Sequence, residues 1–348
     1  MKRLDRVDGL RLFGILVIIA SHVSAFGLYG QGSVWANFFL VASGFFACAP
    51  LFPDGEERYT SVKGWGRYYL LRFVRLVLPV WFVLVFFYIL RDPLLPDRRT
   101  LLKNMLFIDS SAHLWFIQHV LFASLFIPLL SLILYHVKRI CRKKCGDSGK
   151  INRAIGLILI VIAVFLSYVI LYRTHLTLLW NGKGRKLFGI FFYIGFSLGY
   201  LIKGVDLDKL RCPAWLRIVL DFVSFALIMG LSFLSSTGFL SRISGTDVSY
   251  HIGWKKPLAV TLLCTLLMFV IVINQEGLIA RLLSMPLLVR FGKCTLDIYL
   301  IHFFLIRFFN ITPARNFVII VFLTLPVSLF LTEEVENPIY KMVKRHIK

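Results

Sequence analysis

Residues 8–23 read DGLRLFGILVIIASHV, apolar enough for a membrane helix yet carrying Arg11 at one end and His22 near the other. An ionisable side chain inside a bilayer costs a few kcal/mol or more, so it needs a role or a partner. Eleven residues turn a helix through about 1100°, roughly 20° past three full turns. Arg11 and His22 therefore share one stripe, about 16 Å apart along the axis. Arg11 falls near one membrane surface and His22 beyond the bilayer middle. Two readings fit this stripe. The Arg could grip a phosphate while the His acts as a general base on one long substrate. Alternatively, the Arg snorkels to lipid phosphate and the His bonds a neighbouring helix.

Runs of the same kind recur outward from this one. Of the 348 residues, 58% are hydrophobic, against about 45–50% in a soluble domain. Apolar runs at 9–29, 33–52, 68–90, 113–136, 154–173, 187–203, 217–236, 257–274, 295–312 and 315–333 predict about ten spans. They are too continuous for barrel strands, and lipid otherwise tolerates only helices. The expected fold is an all-α integral membrane bundle of about ten transmembrane helices. It forms a single unit over 1–348 without an appended soluble domain, since no loop exceeds about two dozen residues.

With the N-terminus cytoplasmic and residues at span ends counted with the adjoining segments, inner segments hold 24 Lys/Arg and outer loops 12. This bias predicts both termini on the cytoplasmic side. The net charge of +22 would suggest nucleic acid in a soluble protein. Here KRICRKKCGDSGKINR at 138–153 and KMVKRHIK at 341–348 read as anchors facing anionic lipid, so no nucleic-acid partner is expected. A start with MKR, an apolar stretch and VSA at Val23–Ala25 also fits a cleaved signal peptide. Cleavage would remove both Arg11 and His22 and leave an odd number of spans. The six cysteines lack zinc-ligand spacing, and no metal is expected.

Polar residues enter the membrane at three further places. RYYLLRFVRLVLPVW at 67–81 sets Arg72 and Arg75 about one turn apart, with Pro79 four residues on. They suit either a nucleotide diphosphate or simple positive-inside anchoring. In 295–308, Tyr299 and His302 share a helix face, and Asp297 requires a partner that the sequence does not name. At 113–120, HLWFIQHV places His113, Trp115 and His119 at the outer surface. The last span is expected to end at Glu336 and Pro338. Trp180, His251 and Trp254 in the outer loops would stack on a sugar or mark the interface belt.

In this order the pieces resemble membrane acyltransferase family 3, the O-acyltransferases of bacterial surface glycans. The resemblance rests on Asp8-Gly9-Leu10-Arg11 with His22 eleven residues on, and on Ser43-Gly44-Phe45 in FFLVASGFF. It rests further on Arg72, Arg75 and Pro79, HLWF at 113–116, YLIH at 299–302 and VENP at 335–338. Leu12 stands where the family usually has Gly, and Asp297 where a small residue is common.

The resemblance implies an inner-membrane O-acyltransferase, with acetyl the family's commonest group. It would move an acyl group from cytoplasmic acetyl-CoA, or another acyl-CoA, to a hydroxyl of a lipid-linked or surface polysaccharide. Arg11, Arg72 and Arg75 would hold the donor's phosphates and His22 would be the base. Ser43, His113, Trp115, Tyr299 and His302 are the candidates for substrate or oxyanion contacts. Ser21 as an acyl-enzyme nucleophile is disfavoured, because neighbouring helix residues point about 100° apart. The rival class is a polytopic transporter or flippase of glycan or small-molecule cargo, which inverted repeats or broken helices would favour. Neither is present in the sequence.

Overall fold

A computed structural model describes residues 4–25, 32–48, 55–111, 114–145, 148–180, 183–203, 205, 207, 212–236, 256–308 and 316–346. Among them, each apolar run predicted above contains a helix. The first two are α1 (Asp5–His22) and α2 (Ser33–Cys48), followed by α3 (Val62–Ile89). The segment that follows holds the short α4 (Arg98–Met105), begun by Asp97, whose carboxylate accepts the Thr100 N–H at 2.7 Å. That bond draws the Asp97 carboxyl below the usual carboxylate range.

Next come α5 (Trp115–Leu125), α6 (Ile127–Cys145) and α7 (Ser148–Tyr172). A two-stranded antiparallel ribbon, β1 (Thr177–Trp180) with β2 (Lys183–Lys186), precedes α8 (Phe191–Lys203). The chain then forms α9 (Ala214–Leu234) and α10 (Pro257–Ile273), two short helices α11 (Leu278–Leu283) and α12 (Pro286–Gly292), and α13 (Thr295–Phe308). The last element is α14 (Phe317–Phe330), continued into α15 (Asn337–His346).

Five helices are long and apolar enough to cross a membrane: Val62–Ile89, Trp115–Lys143, Gly149–Tyr172, Ala214–Leu234 and Phe317–His346. Ser33–Cys48, Phe188–Lys203 and Pro257–Ile273 are shorter apolar helices. Outward-facing Phe222 on α9 is 72% exposed and Phe322 on α14 is 75% exposed. A soluble surface does not sustain such faces, and lipid accommodates them.

The centre is α1. Of its residues only Asp5, Arg11, Phe13, Leu16 and His22 are not buried. A helix walled on nearly every side shows little amphipathicity in sequence, and this one shows little. Its N-terminal end is pinned by Arg6, whose Nε and Nη2 donate to the Ile271 and Val272 carbonyls at the end of α10, each at 2.8 Å. A cation there meets the negative end of the helix dipole.

Backbones approach closely where glycine permits. A Cβ on Gly9 would lie 1.9 Å from the Leu283 carbonyl oxygen, and one on Gly292 would lie 2.0 Å from that of Asp8. Between α2 and α8, a Cβ on Gly44 would stand 1.7 Å from the Phe192 oxygen, and one on Gly195 would stand 1.9 Å from the Val41 oxygen. Close approach of this kind, rather than hydrophobic expulsion, holds helices together in lipid.

Proline shapes three of the helices, at Pro128, Pro79 and Pro338. Pro128 denies the Ser124 carbonyl its helical N–H, and the Tyr68 hydroxyl of α3 donates to it at 3.0 Å. The adjoining Ala123 and Leu125 carbonyls accept from Tyr193 at 2.7 Å and Tyr69 at 2.8 Å. Before Pro79, residues Phe73–Val77 widen into a π-turn, in which the Leu78 N–H reaches the Phe73 oxygen. Before Pro338, Leu331–Glu336 does the same, with the Asn337 N–H on the Thr332 oxygen.

The last helix therefore does not end at Glu336 and Pro338, as its sequence suggests, but runs to His346. The helix widens before Pro338 and resumes at Asn337 instead of stopping.

Replacing Gly44 with Val forces α2 and α8 apart and is expected to cost about 3 kcal/mol. The check is a lowered thermal midpoint in detergent together with reduced membrane abundance, while Gly66→Ala, at a site open to solvent or lipid, leaves both unchanged.

Candidate active site

α1 runs unbroken from Asp5 to His22, so the stripe read from the sequence is retained. Arg11 and His22 are two of its few residues that are not buried, one at each end.

At the His22 end, the His302 ring of α13 lies with its centroid 5.5 Å away and its plane tilted by 21°, a stacked pair. Phe303 meets His22 edge-on at 5.9 Å. His302 is fully buried, and its Nδ1 sits 2.9 Å from the Ile298 carbonyl oxygen. That carbonyl can only accept, so Nδ1 carries the hydrogen and a neutral His302 keeps its lone pair on Nε2. Tyr299, one turn back on α13, is 5.9 Å from the His302 ring and 5.3 Å from Phe116 of α5.

Gly32, just before α2, closes on the same place: a Cβ there would lie 3.0 Å from Ser21 Oγ and 3.6 Å from His22 Nε2. Ser21 is buried, and its hydroxyl donates to the Ile18 carbonyl of its own helix at 2.7 Å. It is thus turned away from activation by His22.

The opposite end is cationic. Asp8 pairs with Arg11 at 3.3 Å, and the Arg11 guanidinium stands 5.8 Å from the Phe46 ring near the end of α2. Two residues on, Cys48 lies within electrostatic reach of Tyr59, which also faces Arg72. Arg72 in turn faces Tyr68 and Arg75. Arg75 sits inside the first π-turn and stacks over the Tyr340 ring of α15 at 4.3 Å. The two π-turns thus meet through Arg75, bringing Glu336 within its field. Asp297, whose partner the sequence left open, accepts from the Thr332 hydroxyl and lies in hydrogen-bonding reach of the Glu336 carboxyl. π-turns recur at functional sites because they re-aim side chains.

The remaining candidates are placed differently. Ser43 lies eleven residues beyond Gly32 on α2, about 16 Å along the axis, at the Arg11 end. It is therefore not beside His22. Trp115 is buried against Phe116, His119 and Phe188, one ring removed from Tyr299. His113 lies outside the described residues, as do His251 and Trp254 and the side chain of Trp180.

Sequence reasoning missed Gly32, Thr332 and Tyr340. The first follows a segment without periodicity. Thr332 lies inside the last predicted span as an ordinary hydroxyl, and Tyr340 lies on a helix continuation that the proline signal concealed.

A family model described as an acyltransferase domain matches residues 4–333. No curated protein and no solved structure matches the chain.

Diethyl pyrocarbonate acylates accessible neutral imidazoles. In intact membranes it is expected to modify His22 several-fold faster than the fully buried His302. Peptide mass spectrometry reads the two sites, and equal rates would contradict this geometry.

Proposed function

Because this chain belongs to the acyltransferase 3 family, we propose that it is a bacterial inner-membrane O-acyltransferase moving acetyl from cytoplasmic acetyl-CoA to a hydroxyl of a lipid-linked or surface glycan. In this reading all ten apolar runs cross the membrane and both termini are cytoplasmic. The supporting observation is the unbroken α1, which carries Arg11 at one end and His22, stacked on His302, about 16 Å away at the other. An extended pantetheine arm bridges such a distance. Family membership favours transfer over the transporter alternative.

The chemistry follows from the residues. Arg11, Arg72 and Arg75 hold the donor's phosphates through charge-assisted bonds, with Tyr340 and Phe46 keeping two of the guanidiniums in place. The thioester then lies at the His22 end. There the acceptor hydroxyl gives its proton to His22 as its oxygen attacks the thioester carbonyl. The C–O bond forms, the C–S bond breaks, and the CoA thiolate leaves with the proton returned from His22. The stacked His302 ring holds the plane of the His22 imidazole. Tyr299 is the candidate donor to the oxyanion. Ser43, at the far end, is assigned instead to the donor side.

His22→Ala is expected to lower kcat for acetyl transfer by about 10²–10⁴-fold. Arg11→Ala is expected to raise the KM for acetyl-CoA roughly tenfold, the loss of one charge-assisted contact. The proton NMR O-acetyl signal of surface glycan, compared between wild type, deletion and His22→Ala at matched membrane abundance, checks the assignment. Loss in the deletion but retention in His22→Ala would remove His22 as the base. Retention in both would remove the glycan acceptor.

A further inference from the structure

The mechanism above leaves Asp297 unused, although it is only 2% exposed. One of its oxygens accepts from Thr332. Among the described residues no N–H or O–H donor reaches its Oδ1. The group in hydrogen-bonding reach is the Glu336 carboxyl, which is an acceptor when ionised. Two ionised carboxylates in contact, one of them buried, repel strongly, whereas a single proton between them turns the contact into a short charge-assisted bond. The surrounding charges complete the balance. Glu333 of the same π-turn is occupied by Arg290, whose Nε and Nη2 donate to it at 2.9 and 2.7 Å. Lys293 also faces Glu333, and the Cys294 thiol lies beside the pair. Arg75 is the cation that faces Glu336.

We propose that Asp297 and Glu336 hold one proton between them and present a single negative charge to Arg75, keeping its guanidinium over Tyr340 and available to the donor's phosphates. This rests on the reading of Arg75 as a donor-phosphate residue. Two charges would pull Arg75 into the carboxylates and away from the donor. No charge would leave it without an anchor at the π-turn. Asp297 and Glu336 are thus positioning residues for Arg75, built from α13 and the second π-turn.

Amide substitution separates charge from shape. Asp297→Asn and Glu336→Gln each keep the hydrogen bond and one negative charge; the double variant keeps the shape and has none. In purified wild-type protein the infrared C=O stretch of a protonated carboxyl is expected at neutral pH, lost in either single variant. The KM for acetyl-CoA is expected to stay within about threefold of wild type in each single variant and to rise roughly tenfold in the double, with kcat little changed. Thermal midpoints in detergent confirm that the compared variants are folded. Absence of the infrared band in wild type, or a wild-type KM in the double variant, would overturn the proposal. Should wild type turn over no acetyl-CoA, the functional reading falls, and the infrared band by itself upholds or overturns the shared proton.

Discussion

A backbone carbonyl that loses its helical N–H inside lipid has no water to turn to, and this constraint bears on the Arg11 end of the molecule. Pro128 creates such a carbonyl at Ser124, and Tyr68 answers it from α3. Pro79 and Pro338 each follow a turn widened to π geometry. The tyrosine that repairs one break faces Arg72, and the two widened turns carry Arg75 and Glu336. The polar groups at the Arg11 end therefore stand on or beside helix segments whose regular bonding proline interrupts.

The second organising feature is the steric centrality of α1. Glycine contacts at Gly9 and Gly292 let α12 and α11 lie directly on its inner turns. Arg6 ties the same end to α10. With that end fixed and no break before His22, the position of the imidazole follows from helix geometry alone. His302 then needs only the α1–α13 contact to complete the stacked pair.

These two features produce a molecule with different chemistry at its ends. One end gathers guanidinium groups, with aromatic rings beneath two of them and carboxyls beside them, which suits an anionic ligand. The other holds two imidazoles, a buried tyrosine and aromatic walls, which suits proton transfer in a dry setting. One helix connects them, so a long ligand that spans both ends lies alongside a single rigid ruler.

Hydropathy alone located the ten helical segments, because apolarity along a span is a local property that lipid reads residue by residue. The Arg11–His22 spacing was equally legible, since a regular helix converts sequence separation into distance and angle. The sequence did not contain the stack of His22 on His302, 280 residues apart, nor the Asp297–Glu336 contact between α13 and the final helix. It also offered Ser43 as an oxyanion donor beside His22, whereas the direction in which α2 runs past α1 sets it near Arg11, and it ended the last helix at a proline through which the helix continues. Such pairings depend on how helices cross and rotate against one another. Close-packed contacts decide this, and no single segment encodes it.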